Sequence, residues 1–251
     1  MESKSILDYF FFGACVRYLQ DAIVGHELSM IIQNIDNCLD WLNSLGLYVT
    51  QNASRDFVSF RDELHKITKK DTQLSPKQSQ DLTRICSQLR ITLEAELVSH
   101  EAFIVTPKRF DTNKLLYDIG SLMTPNVFSA LPEITQYDLM EAGKCIAFEL
   151  PTAAAFHLLR GTEAELRFFY YTLILRKRVD PLMWGDMVKD LRTRSRTRRH
   201  ATLYNNLDNI RHSYRNPTQH PEAIYNIHDV QDLCPLCFEA ISRMAKILQP
   251  T

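Results

Sequence analysis

The chain has 251 residues, 45% hydrophobic and 24% charged, with a formal net charge of −1, which describes an ordinary globular protein of one large or two modest domains. Only seven glycines, and few Asn-Gly or Asp-Gly turns between alternating apolar runs, argue against a hairpin-rich β fold, while long 3.6-residue periodicities predict an all-α protein. No run approaches the ~20 apolar residues of a membrane span: the stretch from Tyr9 to Val16 is short and meets Arg17 and Asp21 at once, and the N-terminus lacks the basic start of a secretory leader, so a cytoplasmic location with no membrane partner is expected.

Up to residue 101 the sequence reads as consecutive amphipathic helices at about 6–24, 27–44, 54–69 and 75–99. In the second, Ile31, Ile35, Leu39 and Leu42 recur at helical spacing with Asp36 and Asp40 between them, a stripe that faces a core. Ser75 followed by Pro76 fits an N-cap and a first-turn proline. Residues 1–106 are therefore expected to form an N-terminal helical region that extends a dimer, senses a signal or docks a regulator. Beyond it the period fails and Pro107, Pro125 and Pro132 punctuate the chain, so 107–132 is expected to be an irregular connector. Five helices follow at about 133–149, 152–176, 183–191, 203–214 and 228–248, which makes 133–251 a helical bundle.

The near-neutral total hides an asymmetry. Residues 1–140 hold 13 Lys+Arg against 18 Asp+Glu, whereas residues 141–251 hold 16 against 12, so the second part is the better partner for a polyanion. Within it Arg192, Arg194, Arg196, Arg198 and Arg199 crowd into eight positions, and Arg194, Arg196, Arg198 and Arg199 are candidate RNA-phosphate ligands; a solvated loop paired with acids of the first part fits them nearly as well. The six cysteines are expected as free thiols. Cys234 and Cys237 form a C-x2-C pair with no second pair or nearby histidine to complete four ligands, so no metal and no cofactor are expected. His26, His65, His100 and His157 sit singly in helical context, with no carboxylate assigned to them.

The most informative stretch runs from Ile210 to Glu222. On a helix, Leu203, Leu207, Ile210 and Tyr214 share an apolar face, and Asp208, Arg211, His212 and Arg215 occupy the charged side. An unbroken helix would set Arg215 and His220 about 140° apart. Pro217 lacks an N–H and disfavours the helical conformation at Asn216, so the helix is expected to end near Tyr214 or Arg215 and to turn His220 back beside Arg215. The same residues also fit a plainer role, with Arg215 capping its own helix and His220 an ordinary turn residue.

The hexapeptide Arg215-Asn216-Pro217-Thr218-Gln219-His220, followed by Pro221, resembles the signature of the HEPN superfamily of small helical bundles, in the form seen in abortive-infection and toxin proteins. The likeness takes in Leu158 to Arg167 and Trp184-Gly185 and covers about residues 133–248. It implies a metal-independent endoribonuclease, part of a toxin–antitoxin or anti-phage system, whose site is completed across a homodimer and whose partners include RNA and an antitoxin or sensor protein. In this reading paired copies of His220 serve as base and acid, Arg215 holds the phosphate, and Asn216 positions phosphate or imidazole. Glu163 would orient Arg215 or Arg211, with Arg211 and Tyr214 in support. Glu163 fits equally well as the i,i+4 partner of Arg167. The alternative is a non-catalytic helical adaptor that binds RNA or a protein.

Overall fold

The computed structural model describes residues 4–22, 24–67, 73–175, 181–194, 197–219 and 223–249. The fold is all-α: among the described residues the one extended pairing is an isolated bridge between Glu27 and Gln73. The chain divides into two compact units, Met1–Phe103 and Ile104–Thr251.

The first unit comprises α1 (Ile6–Gln20), α2 (Leu28–Ser44), α3 (Tyr48–Ala53), α4 (Arg55–His65) and α5 (Pro76–Leu97). Of the expected α2 stripe, Ile31, Ile35 and Leu42 are fully buried beside Leu19, Phe57 and Leu82; Leu39 is only partly buried, and Cys38 takes the fully buried place instead. Helix α5 opens on a capping box: Ser75 Oγ accepts from Gln78 N at 3.3 Å, and Gln78 Oε1 accepts from Ser75 N at 2.9 Å. Helix α3 has no local cap. Its first N–H groups, from Val49 and Thr50, instead donate to the Glu96 carboxylate of α5 at 3.0 and 2.8 Å, a cap supplied by tertiary structure.

The second unit contains α6 (Thr112–Tyr117), α7 (Glu133–Ala147), α8 (Pro151–Ile174), α9 (Trp184–Thr193), α10 (Ala201–Ile210), α11 (Asn216–Thr218) and α12 (Ile227–Leu248). Long α8 packs chiefly against α7 and α12 and buries Leu158, Leu166, Phe169 and Tyr170. The stretch 107–132, expected as a connector, belongs to this unit. It holds α6 and two 3-10 turns, Ile119–Leu122 and Phe128–Ala130, and gives Leu115, Ile119, Met123, Val127 and Leu131 to the core. Its prolines interrupt helix without interrupting burial. Gly143 allows α6 to lie against α7, because a Cβ there would overlap the Leu115 carbonyl oxygen. The segment also repairs a defect in α12. Pro235, inside that helix, cannot donate to the carbonyl of Gln231, and Arg109 Nη1 donates to that carbonyl instead at 3.4 Å.

The expected helix end at Tyr214 or Arg215 is not where the chain stops. After α10 the backbone enters a π-helical turn, Arg211–Arg215, in which Asn216 N donates to Arg211 O; α11 then carries the helix through Pro217 to Thr218. Asn216 keeps helical angles, φ −65° and ψ −49°. The preference of a pre-proline residue for extended backbone is overridden because the widened turn and two side chains take over bonds that a regular helix would make. The Tyr214 carbonyl accepts from Thr218 Oγ1 at 2.7 Å and from the Tyr225 hydroxyl at 3.0 Å.

Candidate functional site

Arg215 stands at the end of the π turn, a place where helices often deform for function. It is not left to solvent. Its Nε and Nη2 lie 3.4 and 3.2 Å from Glu163 Oε2, while Glu163 Oε1 accepts from Arg167 Nη2 at 2.7 Å. Glu163 therefore pairs with Arg215 across helices and with Arg167 along its own. It does not reach Arg211. Arg215, Glu163 and Arg167 share a cavity of about 360 Å³ with Arg160, Thr218 and Gln219. Tyr214 stacks its ring on Tyr225, centroids 6.4 Å apart, so its part is to hold the returning chain against the site.

Arg160 brings in a cluster that the sequence did not disclose. Asp138 of α7 is fully buried, and its carboxylate accepts from Arg160 Nε at 2.8 and 2.9 Å, from Arg160 Nη2 at 2.5 Å and from His157 Nδ1 at 2.9 Å. An ionised carboxylate only accepts, so the Nδ1 proton points at Asp138 and Nε2 of His157 is left for other partners. Gly161 permits this close approach: a Cβ there would sit 3.1 Å from Asp138 Cβ. The buried charge is paired, and the hydrogen bonds that Arg160 donates to Asp138 push Arg160 still further toward its protonated form.

On the other side of Arg215 a smaller cavity of about 180 Å³ is lined by Met183, Trp184, Gly185, Asp186, Arg211, Arg215 and Asn216. Thus Arg215 borders two concavities, and the expected site residues Arg211 and Asn216 face the second. His220 lies outside the described residues, and so does Arg196.

Of the remaining arginines, Arg192 and Arg194 are committed to structure. Arg194 forms a two-pronged pair with Asp190, at 2.8 and 2.9 Å. Arg192, which was not among the expected RNA ligands, binds Asp208 at 2.7 Å and Asn205 at 2.9 Å. Arg198 begins a 3-10 turn, and Arg199 next to it is exposed, with Nε 3.3 Å from His200 Nε2. Buried Thr197 fastens the run, donating to Leu191 O and accepting at its carbonyl from Tyr204 Oη at 3.0 Å.

No protein-family model matches this chain, and no curated protein or solved structure matches it.

The geometry therefore carries the chemistry unaided. It offers a concave, arginine-lined surface in which Arg215 is held by Glu163, and one of the lining arginines, Arg160, shares the buried Asp138 carboxylate with His157. Among the described residues no group of three or more His, Cys, Asp or Glu is placed to hold a metal ion. Cys234 and Cys237 are fully buried in α12, where burial pushes the Cys237 thiol up to about 12. A cavity of about 610 Å³ lies in the first unit between α3 and α5, and its carboxylate, Glu96, is already spent as the α3 cap.

Proposed function

We propose that the second unit is a HEPN-like ribonuclease domain that cleaves RNA by attack of the ribose 2′-hydroxyl, with Arg215 holding the scissile phosphate, Asn216 beside it and His220, two residues beyond Thr218 in the sequence, exchanging protons. The observation that carries this reading is the pair between Glu163 and Arg215 inside a cavity that also presents Arg160 and Arg167. Excess guanidinium over carboxylate in a concavity suits a phosphodiester, whose crowded charge in the transition state needs several fixed donors. The pair is loose, at 3.2 to 3.4 Å, so a phosphate can compete for Arg215 without displacing Glu163 from Arg167.

A second copy of the chain would complete the acid and base at a two-fold axis. Ile134, Tyr137 and Met140 expose apolar surface along α7, and Tyr137 meets His157 edge-on at 6.5 Å, so an apolar face adjoins the charged one. A role as effector of a toxin–antitoxin or anti-phage system, restrained by an antitoxin or sensor, rests on the resemblance alone.

The test is to incubate purified full-length protein with single-stranded RNA in EDTA and to analyse the product ends. A 2′,3′-cyclic phosphate or its hydrolysed form, lost in Arg215→Ala and His220→Ala variants that keep their helical content, is the expected result. Salt-sensitive RNA binding without product at any time would replace the enzyme with an adaptor.

A further inference from the structure

The smaller cavity beside Arg215 has a construction of its own. A Cβ on Gly185 would overlap Arg211 Nη1 and come within 2.9 Å of Cζ, so the guanidinium of Arg211 lies directly on the backbone of the first turn of α9. Only glycine leaves room for it. The N-cap residue, Met183, supplies no side-chain cap, and among the described residues no side chain accepts from the first N–H groups of α9, which leaves the positive end of a ten-residue helix facing the same space. A cation packed on a positive helix end reverses the usual placement of charge.

Arg211 is only weakly neutralised. Its ion pair with Asp208 Oδ1 is long, 3.6 Å, and the same carboxylate is held more closely through Oδ2 by Arg192 at 2.7 Å. Arg211 Nη2 rests 2.7 Å from His212 Nε2, and its Nε is buried without a partner among the described residues. Asp186, exposed in the first turn, is the one acid lining the cavity. Arg211, Arg215 and Asn216 line the same space.

We propose that this cavity is a phosphate site, in which Arg211 and Arg215 hold one phosphodiester of an RNA strand whose neighbouring phosphodiester occupies the larger cavity. Arg215 borders both spaces and is the shared contact between consecutive phosphates. The first N–H groups of α9 add donors that need no charge of their own. This inference rests on the ribonuclease reading for the identity of the strand, and it extends that reading from one phosphate to two.

The experiment measures binding of an uncleavable 2′-O-methyl RNA oligonucleotide to the full-length protein by fluorescence anisotropy over a series of salt concentrations, with cleavage of the unmodified RNA followed in parallel. Arg211→Gln removes the fork, and Gly185→Ala displaces it while leaving the charge in place. Both are expected to weaken binding about tenfold, and Arg211→Gln to lower the salt dependence by about 0.7 in the log–log slope, the value for one phosphate contact on a single strand. Unchanged affinity and slope in a folded Arg211→Gln protein would overturn the site, as would full affinity in Gly185→Ala. Should Arg211→Gln not fold, Gly185→Ala and Arg211→Lys decide the matter, with loss of affinity in both expected. Weaker binding in the variants of a protein that never cleaves RNA keeps the phosphate site and removes the nuclease. Cleavage by the parent together with unaltered binding in the variants does the reverse.

Discussion

Asp138, fully buried on α7, accepts the Nδ1 proton of His157 from α8 at 2.9 Å while holding Arg160 through two nitrogens. A carboxylate with no exposure persists as an anion only because those donors replace its water. Removing the acceptor and removing one donor should therefore differ sharply. Asp138→Ala leaves Arg160 and His157 without their carboxylate and opens a hole between two helices; with Arg160 44% exposed and able to rehydrate, it is expected to cost about 3 kcal/mol in urea unfolding. His157→Ala keeps the ion pair to Arg160 and is expected to cost about 1 kcal/mol. Equal costs would show that Arg160 does not neutralise Asp138.

Glu163 separates stability from activity. Its pairs with Arg167 and Arg215 lie at a partly exposed cavity, where such contacts contribute under about 1 kcal/mol. Positioning is more demanding, since a reacting group misplaced by about 1 Å loses on the order of a hundredfold in rate. Under the proposed function, Glu163→Ala is expected to shift the melting temperature little and to lower RNA cleavage by about tenfold to a hundredfold, with most of the loss in kcat. Glu163→Asp should recover part of it. A rate equal to the parent in Glu163→Ala removes Glu163 from the site.

Much of this fold is legible locally. The α2 stripe, the Ser75 cap and the start of α12 follow from spacing and side-chain chemistry. At that last point Asn226 and Asp229 close a capping box. The site is less legible because its contacts cross between elements. Asp138 and His157 are 19 positions apart on two helices, and the clue is a single aspartate in the otherwise non-ionic buried stripe of Thr135, Leu139, Ala142 and Ile146, which demands a cationic partner from a neighbour. The continuation through Pro217 depends on Tyr225, eight residues downstream, and no local rule for proline contains that hydroxyl. Density of arginines also misleads: Arg194 is bound to Asp190 at i−4, a spacing visible in the sequence but outweighed there by the count of charges.

Thiol chemistry offers a check on both cores. All six cysteines are free, and five of them are buried while Cys145 is half-exposed. Burial, with Glu141 adding to it, raises the Cys145 thiol above its usual range, so even this group should react slowly at neutral pH. A colorimetric thiol reagent is expected to label at most one cysteine per native chain within minutes and all six in denaturant. Rapid labelling of two or more native thiols would contradict the packing of Cys15, Cys38 and Cys86 in one core or of Cys234 and Cys237 in the other.

Glu165 makes stability depend on pH. It lies on α8 with 1% exposure, its Oε2 has no hydrogen-bond partner among the described residues, and burial pushes its carboxyl up to about 7. The folded state therefore holds a proton that the unfolded chain releases near 4.5. Between those values the native protein binds more protons than the unfolded one, so this group lowers stability as pH rises from about 4.5 to about 7 and adds no further change above that. The difference amounts to at most about 3 kcal/mol. Glu165→Gln, which stays neutral at every pH, is expected to melt with the parent at pH 5 and several degrees above it at pH 8, as measured by calorimetry on both proteins in matched buffers. A parent as stable as Glu165→Gln at pH 8 would mean that a donor reaches Oε2 and keeps the carboxylate charged inside the bundle.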